Sequence, residues 1–355
     1  MLNCTVFGCN DECWKADVGF IADGAEALAP AFQHLPQLRF INVSLNNMFD
    51  RGVAALAASW TSLVYLEHLF IAECGMSVSG AVCLSAALAC FKGLQYLNLN
   101  GAFLVDATGD ESGARALSQA LSADHTNLQH LMLRSAKLTA EALTVLAPCI
   151  AQHTNLRCLD LQCNPHIESR GIEALAPHLS GIARLQVFRF GERLPWNTAT
   201  VGAASALGLA LQNLTGLRTL DLSRFRATQD GGTNLVAALS GLVLLEELDL
   251  SACNMSRVSA ATLATSMSNM VSLKKFLMDS KPIGDDGAAA LAPALACLPQ
   301  IKVIDLSNTQ ITERAATVVV AALGGHESIS SVDLRLNGFE VESVPALLGK
   351  RWVYT

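Results

Sequence analysis

The sequence predicts an α/β solenoid, a horseshoe with a parallel β-sheet on its concave face and helices on its convex face. Three observations carry that expectation. The phrase L-x-x-L-x-L recurs, most cleanly as Leu128-x-x-Leu131-x-Leu133, Leu156-x-x-Leu159-x-Leu161, Leu217-x-x-Leu220-x-Leu222 and Leu245-x-x-Leu248-x-Leu250. Its eleven copies start at Leu38, Leu66, Leu94, Leu128, Leu156, Leu185, Leu217, Leu245, Leu273, Ile301 and Ile329, and eight of the ten intervals are 28 or 29 residues. A small-residue helical phrase follows the strand phrase in each unit. A fixed period in this range means stacked supersecondary units that present surface instead of enclosing a catalytic pocket.

The unit from Ile301, IKVIDLSNTQITERAATVVVAALGGHES, justifies each element in turn. Ile301, Ile304 and Leu306 give a short strand with its leucine-like residues turned into the core, so Val303, Asp305 and Ser307 face the other way. Position nine (Thr309 here; Asn46, Asn164 and Asn337 elsewhere) holds a side chain able to satisfy backbone groups as the chain leaves the strand. Ala315 to Leu323 then carries alanine and branched apolar residues at helical spacing. The same helix recurs as Gly24-Ala-Glu-Ala-Leu28, Gly113-Ala-Arg-Ala-Leu117, Gly171-Ile-Glu-Ala-Leu175 and Gly287-Ala-Ala-Ala-Leu291. Helices are wider than the ~4.8 Å strand spacing, so one helix per strand bends the stack. Pro30, Pro148, Pro177 and Pro293 recur at one helical register. Either the carbonyl each one frees faces solvent, or each marks a helix break.

These units resemble the ribonuclease-inhibitor-like class of leucine-rich repeats, found also in NOD-like receptors and in the Ran GTPase-activating protein. The resemblance rests on L-x-x-L-x-L-x-x-N/C-x-L followed by G-A-x-A-L-A-x-A-L and covers about Ile21 to Leu348. It implies a leucine-rich repeat solenoid of about eleven 28-residue repeats, with ligand choice residing on the variable strand positions. Ala102, Ala136, Arg193, Phe225 and Lys281 depart from the pattern at position nine, so turn geometry is least secure in those units.

A stack of this kind needs caps. The expected organisation is one continuous structural domain: an N-terminal cap over 1–37 with a helix around Asp23 to Gln33, repeats over 38–340, and a C-terminal cap over 341–355. Trp352 and Tyr354 suit packing over the last open face.

Composition narrows the function classes. Hydrophobic residues reach 51% and charged ones only 15%, as expected when neighbouring units cover both flanks of each repeat. A formal charge of −7 argues against nucleic acid as the main partner, because phosphate binding needs concentrated Lys and Arg. No apolar run approaches the ~18 residues that span a bilayer. Met1 to Asp17 contains Asp11 and Glu12 and reads as neither a signal nor a transit peptide. Eleven cysteines show no pairing rhythm, and Cys74, Cys158, Cys163 and Cys253 fall on repeat positions, which fits reduced thiols and a cytoplasmic location.

No phosphate loop, G-x-S-x-G or H-E-x-x-H motif is present. Cys4, Cys9 and Cys13 cluster without a fourth ligand for zinc and read as structural thiols. The chain is therefore expected to be non-enzymatic and to need no cofactor or metal: a scaffold or a structural subunit of a multi-subunit complex, binding protein. The alternative is a GTPase activator of the Ran type, because Arg193 sits in a lengthened loop as a basic residue does in that family. The chain ends Lys350-Arg-Trp-Val-Tyr-Thr355, not in that family's acidic tail.

Positions three, five and seven of each unit are expected to face the partner. Phe40, His68, Phe70, Tyr96, His130, Met132 and Arg134 would form an exposed aromatic patch in the first four units, and such patches mark interaction sites. From the fifth unit, position five becomes acidic at Asp160, Asp221, Asp249, Asp305 and Asp333, with Glu247 and Asp279 beside them. Part of that row is the habitual L-D-L wording of the repeat class; the rest is expected to steer association. Insertions at 102–113 and 191–202 emerge on the edge. There Trp196 either anchors a partner or closes its own loop.

Overall fold

The computed structural model describes residues 21–121, 127–191, 199–280, 282–339 and the backbone of 353–354. The chain falls into two compact units, 1–138 and 139–355.

In the first unit, helix α1 (Ala22–Leu28) changes to a tighter 3-10 turn over Ala29–His34. Then come β1 (Phe40–Asn42), α2 (Phe49–Trp60), β2 (His68–Phe70), α3 (Val78–Leu88), β3 (Tyr96–Asn98), α4 (Ser112–Leu121) and β4 (His130–Met132). The four strands are parallel and stacked in register, so Phe40, His68, Tyr96 and His130 form one row and Asn42, Phe70, Asn98 and Met132 the next. Ile41, Leu69, Leu97 and Leu131 point the other way and are buried against the helices. Alternation with period two is what assigns the two faces.

The second unit repeats the pattern. It holds α5 (Ala140–Gln152), β5 (Cys158–Asp160), α6 (Glu168–Leu179), β6 (Val187–Arg189), α7 (Val201–Gln212), β7 (Thr219–Asp221) and α8 (Gln229–Ala237). After these follow β8 (Glu247–Asp249), α9 (Arg257–Met267), β9 (Lys275–Leu277), α10 (Gly284–Ala296), β10 (Val303–Asp305), α11 (Glu313–Leu323) and β11 (Ser331–Asp333). A further short strand, β12 (Val353–Tyr354), pairs in parallel with β11. Sequence pattern did not foresee it, because only two residues pair and neither belongs to an L-x-x-L-x-L phrase. Pairing leaves fewer open groups on β11, the usual requirement at a sheet edge.

Both readings of the recurrent proline apply. Pro30 lies where α1 gives way to the 3-10 turn. Pro148, Pro177 and Pro293 stay inside α5, α6 and α10. Each of these three is exposed, as are Thr144, Glu173 and Ala289 four residues earlier. The carbonyls that lose a partner therefore lie on the solvent side, where water can satisfy them. The glycine that opens many of the helices allows close packing: a Cβ on Gly171 would fall 3.1 Å from the backbone of Ala140, and one on Gly113 2.8 Å from the Leu104 carbonyl oxygen.

The turn after the strand corrects one expectation. Position eight is left-handed in every described repeat, at Leu45, Glu73, Gly101, Ser135, Cys163, Arg224, Ala252, Ser280, Asn308 and Leu336. Asn46, Asn164 and Asn337 donate from position nine to the carbonyl of position six at 2.8 to 2.9 Å, and Thr309 does so through its hydroxyl at 2.6 Å. Where Ala102, Ala136 or Phe225 replaces them, the turn keeps its form and the apolar residue is buried. The reason is that the position-eight N–H donates to the next repeat's position-seven carbonyl, as from Gly101 to Arg134 at 2.8 Å and from Arg224 to Ser251 at 2.6 Å. Stacking sets the turn, and position nine only fills it. Arg193 and Lys281 lie outside the described residues.

Candidate protein-interaction face

The strand face of the first unit carries a continuous run of rings. Phe40 and Phe70 have centroids 5.4 Å apart, Phe70 and Tyr96 stack at 4.6 Å, and Tyr96 and His130 stack at 4.9 Å. His68 bridges the row, 6.2 Å from Phe40 and 6.3 Å from Tyr96. Strand spacing of ~4.8 Å makes this possible, since aromatic side chains at one position of adjacent parallel strands must meet. Phe40 is 48% exposed, and His68, Phe70, Tyr96 and His130 are half-buried. The structure thus brings together five of the residues proposed from sequence.

Met132 departs from that expectation. It is only 8% exposed, so the exposed patch ends at His130. Arg134 is exposed at the border. Trp196 lies outside the described residues, as does the loop holding Arg193.

Asparagine fills the polar positions of this face. Asn42 and Asn98 each accept the backbone N–H two residues on, from Ser44 and Asn100, both at 3.0 Å. Asn100 accepts the N–H of Arg134 at 2.8 Å. The Asn42 and Asn98 oxygens close turns, and that of Asn100 bridges to the next repeat.

The acidic row of the second unit uses the same bond. Asp160, Asp221, Asp249, Asp305 and Asp333 accept the N–H of Gln162, Ser223, Ser251, Ser307 and Arg335, all at 2.9 to 3.0 Å. The carboxylates expected to steer a partner thus have a structural task as well: they close strand-end turns, with Asp160 only 3% exposed. Arg189, which sequence reasoning passed over, stands between Asp160 and Asp221 in the strand register, its guanidinium 3.9 Å from Asp160. Gln162 donates to Asp221 at 2.7 Å. The signal was present, since Arg189 occupies position five of its unit. Burial raises the Asp249 carboxyl above its usual range, and repulsion from Asp221 and Asp279 adds to that, against opposing hydrogen bonds from Ser251. Burial also pushes on Asp333, but its hydrogen bonds with Arg335 outweigh it and hold that carboxyl low.

An edge feature was also missed. Leu45 is 60% and Phe49 56% exposed, and Phe103 holds the Lys137 ammonium 3.6 Å from its ring centre. The loop after Leu99 is organised inwardly instead: Asp106 accepts from the N–H groups of Thr108 and Asp110 at 2.8 and 3.0 Å, over buried Leu104 and Val105.

A cavity beside Leu161, Phe190 and Phe225 measures about 30 Å³, room for a single water. No group of three or more His, Cys, Asp or Glu is placed to hold a metal among the described residues. Burial raises the thiol of Cys74 to about 12 and that of Cys158 to about 11, leaving both unreactive. No described helix is long and apolar enough to cross a membrane.

Comparison with known proteins agrees with the repeat class. A family described as leucine-rich repeat matches residues 152–176. The chain is 29% identical over 217 residues to NACHT, LRR and PYD domains-containing protein 14 of Mus musculus, a match covering 59% of this chain and 20% of the mouse protein. It is 32% identical over 188 residues to the ribonuclease inhibitor of Sus scrofa, covering 52% of this chain and 39% of that protein. The matches thus span about one fifth of the first relative and two fifths of the second. An internalin of Listeria monocytogenes shares the fold at a TM-score of 0.53 and 16% identity, over 92% of each chain.

Proposed function

Because the chain is built from leucine-rich repeats of the ribonuclease-inhibitor-like kind, we propose that it is a non-enzymatic scaffold that binds a protein partner, in the cytoplasm and as a subunit of a larger assembly. The observation that carries this reading is the ring ladder from Phe40 to His130, four repeats long on the open strand face. Burying large apolar groups at the centre of a contact contributes more than solvated charge pairs do. The ribonuclease inhibitor it resembles is named for acting on another protein. The buried, unreactive thiols at Cys74 and Cys158 support a reducing compartment.

Affinity capture from cell extract, with identification of co-purifying proteins, tests the reading when wild type is set beside Phe70→Ala with Tyr96→Ala. The expected result is a partner retained by wild type and lost from the folded double variant at any ionic strength. Retention by the variant would move the contact to the edge loops or the helices and overturn the assignment of the face.

A further inference from the structure

The face assigned above has a chemical polarity that selects its partner. Resting on that assignment, we infer that the first unit's strand face takes an acidic protein segment, one in which apolar or aromatic side chains alternate with carboxylates. Three independent features converge on this.

The first is how the rings are spent. Tyr96 is stacked on both sides, by Phe70 at 4.6 Å and His130 at 4.9 Å, with ring planes only 25° and 21° apart. Rings stacked on each other give their faces to their neighbours and turn their edges outward. An aromatic edge is the positive part of the ring quadrupole, whereas the negative face is what attracts cations. At Tyr96, the middle of the stack, the ladder therefore offers acceptors a favourable rim and offers a lysine or arginine little. Base stacking by a single nucleic acid strand also needs open ring faces, and both faces of Tyr96 are occupied.

The second feature is the asparagines. Asn42, Asn98 and Asn100 each commit the amide oxygen to a backbone N–H, at 2.8 to 3.0 Å. What remains on each half-buried amide is the Nδ2 group, a pure donor. Repeated across the face, they ask for acceptors.

The third is the absence of anions. No carboxylate occupies positions three, five or seven of the first four repeats, while Arg134, His68 and His130 do stand there. Of the acids adjoining those positions in sequence, Glu67 is paired with Arg39 and Glu73 sits in the turn. Charge-assisted hydrogen bonds from the Asn42, Asn98 and Asn100 amides to carboxylates supply the complementarity.

The probe is a set of short labelled peptides with the same alternating Phe and Leu residues, separated by Glu, by Ser or by Lys, plus single-stranded oligo(dT). The Glu peptide should bind roughly tenfold tighter than the Ser peptide, with the Lys peptide weakest. Asn42→Asp with Asn98→Asp should cut binding of the Glu peptide roughly tenfold while leaving the melting temperature in place, because Asp closes this same turn at Asp221, Asp249 and Asp305. Equal or tighter binding of the Lys peptide, preference for oligo(dT), or indifference to the Asp pair would overturn the inference. The two claims fail separately. If Phe70→Ala with Tyr96→Ala abolishes capture of the cellular partner but peptide charge makes no difference, the interaction face stands and its acidic preference falls. If capture survives that double variant, the face itself falls whichever peptide binds.

Discussion

The strand faces of the two units are built on one backbone plan and display opposite chemistry. In the first unit position five closes its turn with Asn42 or Asn98, and in the second with Asp221, Asp249 or Asp305, through the same bond to the N–H two residues on. Where position five closes the turn it does so with an acceptor oxygen, and an amide or a carboxylate serves alike. Charge is therefore the free variable, and the two units have set it differently: rings and amide donors in one, carboxylates in the other. An acidic residue in an L-D-L phrase is thus poor evidence for a binding site, whereas an aromatic there is not explained by the turn.

The largest expected effect would show that only the faces differ. Leu97 in the first unit and Leu159 in the second sit at the same repeat position and are fully buried. Replacing either with Ala should cost about 2–5 kcal/mol, transfer energy plus cavity, and the two losses should match within about 1 kcal/mol. Denaturant unfolding measures both. A loss of the lower bound at one site and none at the other would mean the cores are not equivalent.

Next come the turns and the rings. Asp305 accepts from the N–H and the hydroxyl of Ser307 at 2.9 and 2.7 Å. Asp305→Ala should cost about 1–3 kcal/mol by stranding those donors, while Asp305→Asn should cost less than about 1 kcal/mol. If Asn is as damaging as Ala, the charge matters and the comparison above is wrong. Tyr96→Ala removes two ring stacks, each worth about 0.5–1.5 kcal/mol, so it should lower stability modestly. Face residues thus contribute to stability as well as to binding, and binding assays need a folded-state control such as circular dichroism.

Much of this was legible in the residues. Eleven strand phrases and their helices follow from the period, and the ring patch follows from period-two alternation at Phe40, His68, Phe70, Tyr96 and His130. What was hidden depends on stacking between repeats. Met132 reads as exposed by alternation, yet its neighbours cover it. The turn at Ala102 reads as insecure, yet the cross-repeat backbone bond from Gly101 to Arg134 holds it. The ring tilts, which decide whether faces or edges meet a partner, come from side-chain packing that no spacing rule encodes. Arg189 was visible and unused: it breaks the acidic row that the surrounding L-D-L phrases suggest.

The smallest expected effect concerns acid, and it divides the second unit's own row. Burial first, then repulsion from Asp221 and Asp279, raises the Asp249 carboxyl in the folded state. A folded carboxyl raised above its unfolded value binds its proton more tightly when folded. Ionised Asp249 is thus a cost at neutral pH, relieved as pH falls through the folded value. Asp249→Asn keeps the oxygen that receives Ser251 and removes that cost, so the variant should melt slightly higher than wild type near neutral pH. The gap should close on acidification towards about pH 4, the ordinary carboxylate range. Asp333, held low by Arg335 against its own burial, has the opposite sign. Its contribution is present above the unfolded value and lost as pH falls through the folded one, so Asp333→Asn should lower the melting temperature at neutral pH. Melting curves for the two variants across this range should therefore depart from wild type in opposite directions and converge in acid. If both depart in the same direction, burial with repulsion does not set the balance at Asp249, and the row is held together by its turns alone.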